Sequence, residues 1–235
     1  MSIYHLHIPR TSGIYIKNNV LPHLIADGVP HFVSNRSKID LGIIKNSKFV
    51  GGHFGTTPIE YMNSPEVFSI IRNPVDRFIS YFKYTTGLVR MGEEAEKKKY
   101  EWLYGKQSEM HSNSQSKFLT GKINIDYFNN NLNYMQEKVE SGWFLENYNL
   151  NLDKILENVD KFYCYSLDNY EIFIDDFNKA LMKNFGFNSF KYKDPANLSP
   201  DIGIIFNKKD VERIIQLNEL DIKVYEYVQK SKKRY

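Results

Sequence analysis

Residues 5–13 read "HLHIPRTSG", and residues 68–82 read "FSIIRNPVDRFISYF". The first is an apolar strand that runs into a short loop of small and hydroxyl residues around one arginine. The second is another apolar strand; it ends on Arg72 and enters a helix that carries Ser80. A single cation therefore stands at the end of two strands, each time just before a helix. The first N–H groups of a helix have no internal partner, and the helix dipole favours negative charge, so such a junction suits an anion. In the first loop Pro9 sets the turn and Gly13 lets the backbone come close. Thr11 and Ser12 add hydroxyl donors, and Arg10 adds a planar fork matched to a pair of phosphate or sulfate oxygens. In the second, Asn73-Pro74 starts the helix and Ser80 falls about two turns in. Two anion loops predict a ligand with phosphates at two ends. Asp76 and Arg77 read as a surface ion pair.

Working outward, short apolar runs at Ile3–Ile8, His31–Val33, Lys48–Val50, Val67–Ile71 and Phe162–Tyr165 predict buried strands separated by longer helical patterns. That alternation predicts an α/β fold, a central mostly parallel sheet flanked by helices on both faces. Between the first two strands "GIYIKNNVLPHLIADG" has helical spacing, with a kink at Pro22 and a stop at Gly28. The run "NYEIFIDDFNKALMKNFG" (169–186) predicts an amphipathic helix closed by Gly186. Residues 208–235 predict one or two helices and then a frayed basic tail. The charged, interrupted stretch 89–115 reads as a surface excursion and candidate mobile lid within one domain spanning 1–235.

Composition narrows the classes. Of the 235 residues, 42% are hydrophobic and 25% charged, ordinary values for a chain that buries a core. A formal charge of +3 is too small for a nucleic-acid coat but compatible with a local basic site. Cys164, the only cysteine, excludes an internal disulfide and a thiolate metal cluster. Its apolar surroundings, "KFYCYSL", predict a buried structural thiol. No run approaches the length of a membrane span, and the N-terminus lacks a signal-peptide pattern, so a soluble cytoplasmic protein is expected. Oligomeric state is left open. The first loop is neither G-x-x-x-x-G-K-[ST] nor G-x-G-x-x-G, which argues against a nucleotide kinase and a dinucleotide fold.

"HIPRTSG" resembles the 5′-phosphosulfate loop of sulfotransferases that use 3′-phosphoadenosine 5′-phosphosulfate (PAPS). The likeness is closest to the carbohydrate branch that includes the heparan sulfate 2-O-sulfotransferases, where the loop typically reads HIPKTGG. "FSIIRNPVDRFISYF" resembles the same family's 3′-phosphate loop, in which an arginine and a serine eight residues later hold that phosphate; Arg72 and Ser80 keep the spacing. "GGHFG" (51–55) and "NSQSKFLTG" (113–121) resemble two further family segments, in order. "LDNYEIFIDDFNKAL" and "LNELDIKVYEYV" resemble its closing helices. The sequence departs from the pattern at Arg10, where the family has lysine, and at Ser12, where it has glycine. Arginine keeps the charge but cannot pass a proton to a leaving oxygen.

The resemblance implies a P-loop-NTPase-like three-layer sandwich and a sulfotransferase moving a sulfuryl group from PAPS to an acceptor hydroxyl, that of a saccharide. Arg10, Thr11, Ser12, Gly13, Arg72 and Ser80 would bind the donor, and Arg10 would also stabilise charge on the leaving phosphate oxygen. No metal is expected, since no convincing ligand cluster is evident and the sulfuryl group carries less charge than a phosphoryl group. As base we expect His53, an imidazole suited to proton removal near neutrality, with His7 as runner-up; Glu60 either orients His53, acts in its place or, the favoured reading, is a solvated glutamate. A loop histidine that caps a backbone group is the competing account of His53. Asn113 and Gln115 either face the donor or cap a helix. Lys117 is one more candidate cation, and Trp102 and Trp143 either stack on a ring or belong to the core. The alternative functions are a nucleotide-binding, kinase-like protein of P-loop type and a non-catalytic module that keeps the fold.

Overall fold

The computed structural model describes residues 1–11, 13, 16–34, 38–87, 92–130, 144–187, 203–231 and 233–235. Its centre is a five-stranded sheet of β1 (Ile3–Leu6), β2 (His31–Ser34), β3 (Phe49–Gly52), β4 (Glu66–Ile71) and, last in sequence, β7 (Tyr163–Ser166). The order is β2-β3-β1-β4-β7, and every pairing is parallel. A minor antiparallel pair joins β5 (Lys122–Ile123) to β6 (Leu145–Glu146). The five expected strands are therefore the five strands of the sheet.

The helices are α1 (Leu21–Ala26), α2 (Leu41–Asn46), α3 (Thr57–Tyr61), α4 (Pro74–Gly87), α5 (Glu93–Leu103), α6 (Ser108–His111), α7 (Ser114–Thr120) and α8 (Ile125–Asn130). They are followed by α9 (Leu152–Lys161), α10 (Tyr170–Phe185), α11 (Lys208–Leu217) and α12 (Glu219–Lys230). Strand residues alternate between two cores, as a period of two requires. Tyr4, Leu6, Val67 and Ile71 pack with Phe118, Ile155 and Val224 from the helices of one face. Ile3, Phe68 and Ile70 pack with Leu24, Phe173 and Phe177 of the other. The sheet is thus covered on both faces, so its strands read as nearly unbroken apolar runs. Among the described residues no helix is long and apolar enough to cross a membrane.

Local signals account for several ends. α10 buries Phe173, Ile174, Phe177, Ala180 and Leu181 along one stripe and stops at Gly186, whose φ of 73° favours glycine. Asn207 and Asp210 form a reciprocal capping box at α11. Pro22 falls in the first turn of α1, which continues from a π-helical turn at Ile16–Val20.

Within the charged stretch, Trp102 and Leu103 are fully buried against Phe78, Phe82 and Ile214. One expectation about the periphery is corrected: the chain does not fray at its end, although Arg234 is exposed. The Tyr235 ring packs 5.5 Å from Phe68 and 5.1 Å from Tyr163, and its hydroxyl donates to the Glu66 carboxylate. Cys164 is a buried free thiol, pushed up to about 12 by burial.

Candidate functional site

β1 and β4 are neighbours, yet the chain leaves them in opposite directions across the sheet: toward β2 from β1 and toward β7 from β4. Such a switch point opens a crevice at the carboxyl ends of the strands. Both arginine loops lie there. β3, on the other side of β1, brings His53 to the same end of the sheet.

The β1 loop is held by one face of α4. Arg77 is buried and its Nε donates to the Pro9 carbonyl at 3.1 Å. Arg10 Nε donates to Ser80 Oγ at 3.2 Å, and the Arg10 guanidinium lies 4.6 Å from the centroid of the Tyr84 ring. Residues 77, 80 and 84 follow the three- and four-residue steps that share a helix face. Arg77 is therefore a brace for the loop rather than half of a surface ion pair with Asp76, as the sequence suggests. Arg10 has a φ of 68°, in the left-handed region. That conformation is uncommon for a residue with a Cβ and persists only where surrounding contacts hold it.

Arg72 follows the last residue of β4, and its Nη1 donates to the Arg10 carbonyl at 3.3 Å. Its pKa is lowered chiefly by burial; Asp76 and Asp168 oppose this and the charge of Arg10 adds to it. Two guanidinium groups thus stand beside Ser80 at one strand end, cations and a hydroxyl of the kind that bind phosphate oxygens. Thr11 is buried, and its hydroxyl donates to the Ile8 carbonyl at 2.6 Å, so it stabilises the turn from within. Ser12 lies outside the described residues, as does Trp143.

Gly13 has a specific neighbour. A Cβ built on it would fall 1.8 Å from His7 Cε1. The His7 imidazole fills the space that a side chain at 13 would need, and its ring centroid is 4.2 Å from that of His53. His53 Nδ1 lies 2.7 Å from the His7 carbonyl. A carbonyl only accepts, so in the neutral ring Nδ1 carries the proton and Nε2 is the basic nitrogen. His53 does cap a backbone group, the competing account, and that cap fixes the tautomer a base requires. Glu60 does not orient it: Glu60 pairs with Lys122.

The 113–121 segment supports the site from behind. Gln115 accepts from the Arg72 N–H at 2.9 Å through Oε1 and donates to the Arg72 carbonyl at 2.9 Å through Nε2. Asn113 caps the start of α12. Lys117 turns away from the crevice: its Nζ donates to the Glu109 carbonyl at 2.8 Å, and burial lowers it to about 8. Gly55, with a φ of 56°, approaches Gly121 so closely that a Cβ would lie 2.3 Å from the Gly121 carbonyl. "GGHFG" and "NSQSKFLTG" are thus in contact. Trp102 belongs to the core. Among the described residues no group of three His, Cys, Asp or Glu side chains is placed to hold a metal.

No known family model matches the chain, and no curated protein matches it.

Proposed function

We propose that this chain is a PAPS-dependent sulfotransferase of P-loop-like fold that transfers a sulfuryl group to an acceptor hydroxyl, of a saccharide by the resemblance above. The observation that carries the reading is the meeting of Arg10 with Arg72 and Ser80 at a switch point between adjacent parallel strands. Arg72 and Ser80 take the 3′-phosphate. Arg10, with Thr11 and Gly13, takes the 5′-phosphosulfate.

In the transfer His53 Nε2 accepts the acceptor's hydroxyl proton as the acceptor oxygen bonds to sulfur. The bond between sulfur and the bridging phosphate oxygen breaks in line, and its electron pair leaves on adenosine 3′,5′-bisphosphate. Arg10 offsets the charge that gathers on that oxygen. Such fixed cations lower a barrier because they need no reorganisation during the reaction. Arginine serves here as a charge and not as an acid, so proton delivery to the leaving group is not assigned to it.

The deciding experiment is a calorimetric titration with adenosine 3′,5′-bisphosphate, with ATP and AMP as controls and no magnesium. Tight binding that requires the 3′-phosphate is expected, strongly weakened in Arg72→Ala. His53→Ala should bind the bisphosphate normally and lose turnover. Preference for ATP, or no binding, would overturn the reading.

A further inference from the structure

The two C-terminal segments of the site cap each other's helices. The Asp221 carboxylate, on α12 and 1% exposed, accepts from the Gln115 N–H at 2.9 Å, the Ser116 N–H at 2.8 Å and Ser116 Oγ at 2.6 Å. These are groups of the first turn of α7, which no helical carbonyl can satisfy. In return Asn113 Oδ1, just before α7, accepts from the Leu220 and Asp221 N–H groups at the start of α12, at 3.1 and 3.3 Å. The Asn113 N–H donates to Asn218 Oδ1 at 3.0 Å. Each helix start is satisfied by a side chain of the other, across more than a hundred residues of sequence.

This arrangement bears on Arg72. Two oxygens of one buried carboxylate fix both the position and the rotation of α7's first turn. Gln115 leaves that turn and grips the Arg72 peptide from both sides, one amide donor and one amide acceptor against one N–H and one carbonyl. β4 ends at Ile71, so the Gln115 amide takes the place that a strand partner would have taken. The direction in which the Arg72 guanidinium leaves the sheet is thus fixed by a side chain on α7 whose own place is fixed by α12.

We propose that Asp221 is a positioning residue for the 3′-phosphate site, acting through Gln115 on Arg72. The inference rests on the donor reading above. Burial raises Asp221, while the hydrogen bonds from Ser116 and Gln115 and the charge of Arg77 oppose the shift.

The test is a double-mutant cycle on Gln115→Ala and Asp221→Asn, reading the ratio of affinities for adenosine 3′,5′-bisphosphate and AMP. Each single variant is expected to lower that ratio roughly tenfold, a size usual for coupled neighbours, with AMP affinity unchanged. The double variant should lose no more than Gln115→Ala alone. A merely structural role would lower the unfolding midpoint and leave the ratio alone. The asparagine keeps size and one acceptor; should it nevertheless fail to fold, Gln115→Ala still decides, because an unchanged ratio there removes the link to Arg72. Unchanged ratios in both single variants, or losses that multiply in the double, overturn the inference. A wild type with no preference for the 3′-phosphate would instead overturn the donor reading itself.

Discussion

Arg10 donates from Nε to Ser80 Oγ at 3.2 Å, joining the loop after β1 to the helix after β4 across 70 residues. The bond shows that the two strand-end junctions are one construction. Arg77 and Tyr84 extend it on either side along the same helix face, and together they hold Arg10 in a left-handed backbone conformation. Strain of that kind, of order 1–3 kcal/mol, is stored where geometry serves a ligand.

Arg10→Gly and Arg10→Ala therefore separate strain from function. Both remove the guanidinium, and both should abolish measurable bisphosphate binding. Only glycine relaxes at a φ of 68°, so Arg10→Gly should be the more stable by about 1 kcal/mol. Urea unfolding of the two variants measures the difference. Equal midpoints would mean that the loop changes conformation once the arginine is gone.

Gly13→Ala tests the place of His7. The new methyl would overlap the His7 ring, so the ring must move and leave its position 4.2 Å from His53. The variant should be destabilised by about 1–3 kcal/mol, as overpacking usually is. In a His7→Ala background the same change should be nearly neutral. Thermal unfolding of the four proteins gives the coupling; additive effects would show that the methyl finds room elsewhere.

Much of this was legible in the sequence, and the omissions have physical causes. All five sheet strands could be read because both faces are buried and the runs are short, β-branched or aromatic. β5 and β6 could not, since two residues display no period. The 93–103 helix is hidden by its charge, although Ala95 and Trp102, seven apart, lie on one buried face. Arg77 was misread from its neighbour in sequence: Asp76 and Arg77 are adjacent on a helix, and adjacent residues do not face each other. The step from 77 to 80 to 84 was the available signal. Gln115 was marked by its segment although its grip on Arg72 was not, and Asp221 had no signal, because each takes its meaning from a partner brought near only by the fold.

Stability should fall in mild acid because of His5. Burial, and then the nearby charge of His53, lower His5 to about 3 from the usual 6.5. Below pH 6.5 the unfolded chain takes up a proton that the folded chain refuses, so the folded state loses ground until about pH 3. The loss from this one group is on the order of 5 kcal/mol at its full extent. His5→Phe keeps a ring beside Phe173 and Phe177 and should flatten this limb without altering stability above pH 7 by more than about 1 kcal/mol. Urea midpoints from pH 4 to 8 for both proteins check it. An unchanged acid limb would assign the loss to other groups.

His111 supplies the opposite case, a buried polar side chain whose removal should help. Its ring is 1% exposed, stacked 3.5 Å from the Trp102 ring centroid and flanked by Phe78 and Tyr81. Neither ring nitrogen, nor Trp102 Nε1, has a hydrogen-bond partner among the described residues. Burial, then the charges of Lys117, Arg77 and Lys98, hold the imidazole well below its ordinary pKa, so at neutral pH it is an uncharged ring with two unsatisfied nitrogens. Desolvating such groups costs about 1–3 kcal/mol. His111→Phe keeps the stacked ring and discards the nitrogens, and should raise stability by about 1–2 kcal/mol with an unchanged urea m-value. Destabilisation of the same size would mean that ordered water satisfies the imidazole in solution. In that event a second substitution, Trp102→Phe, would lower stability further, because Trp102 Nε1 would share that water.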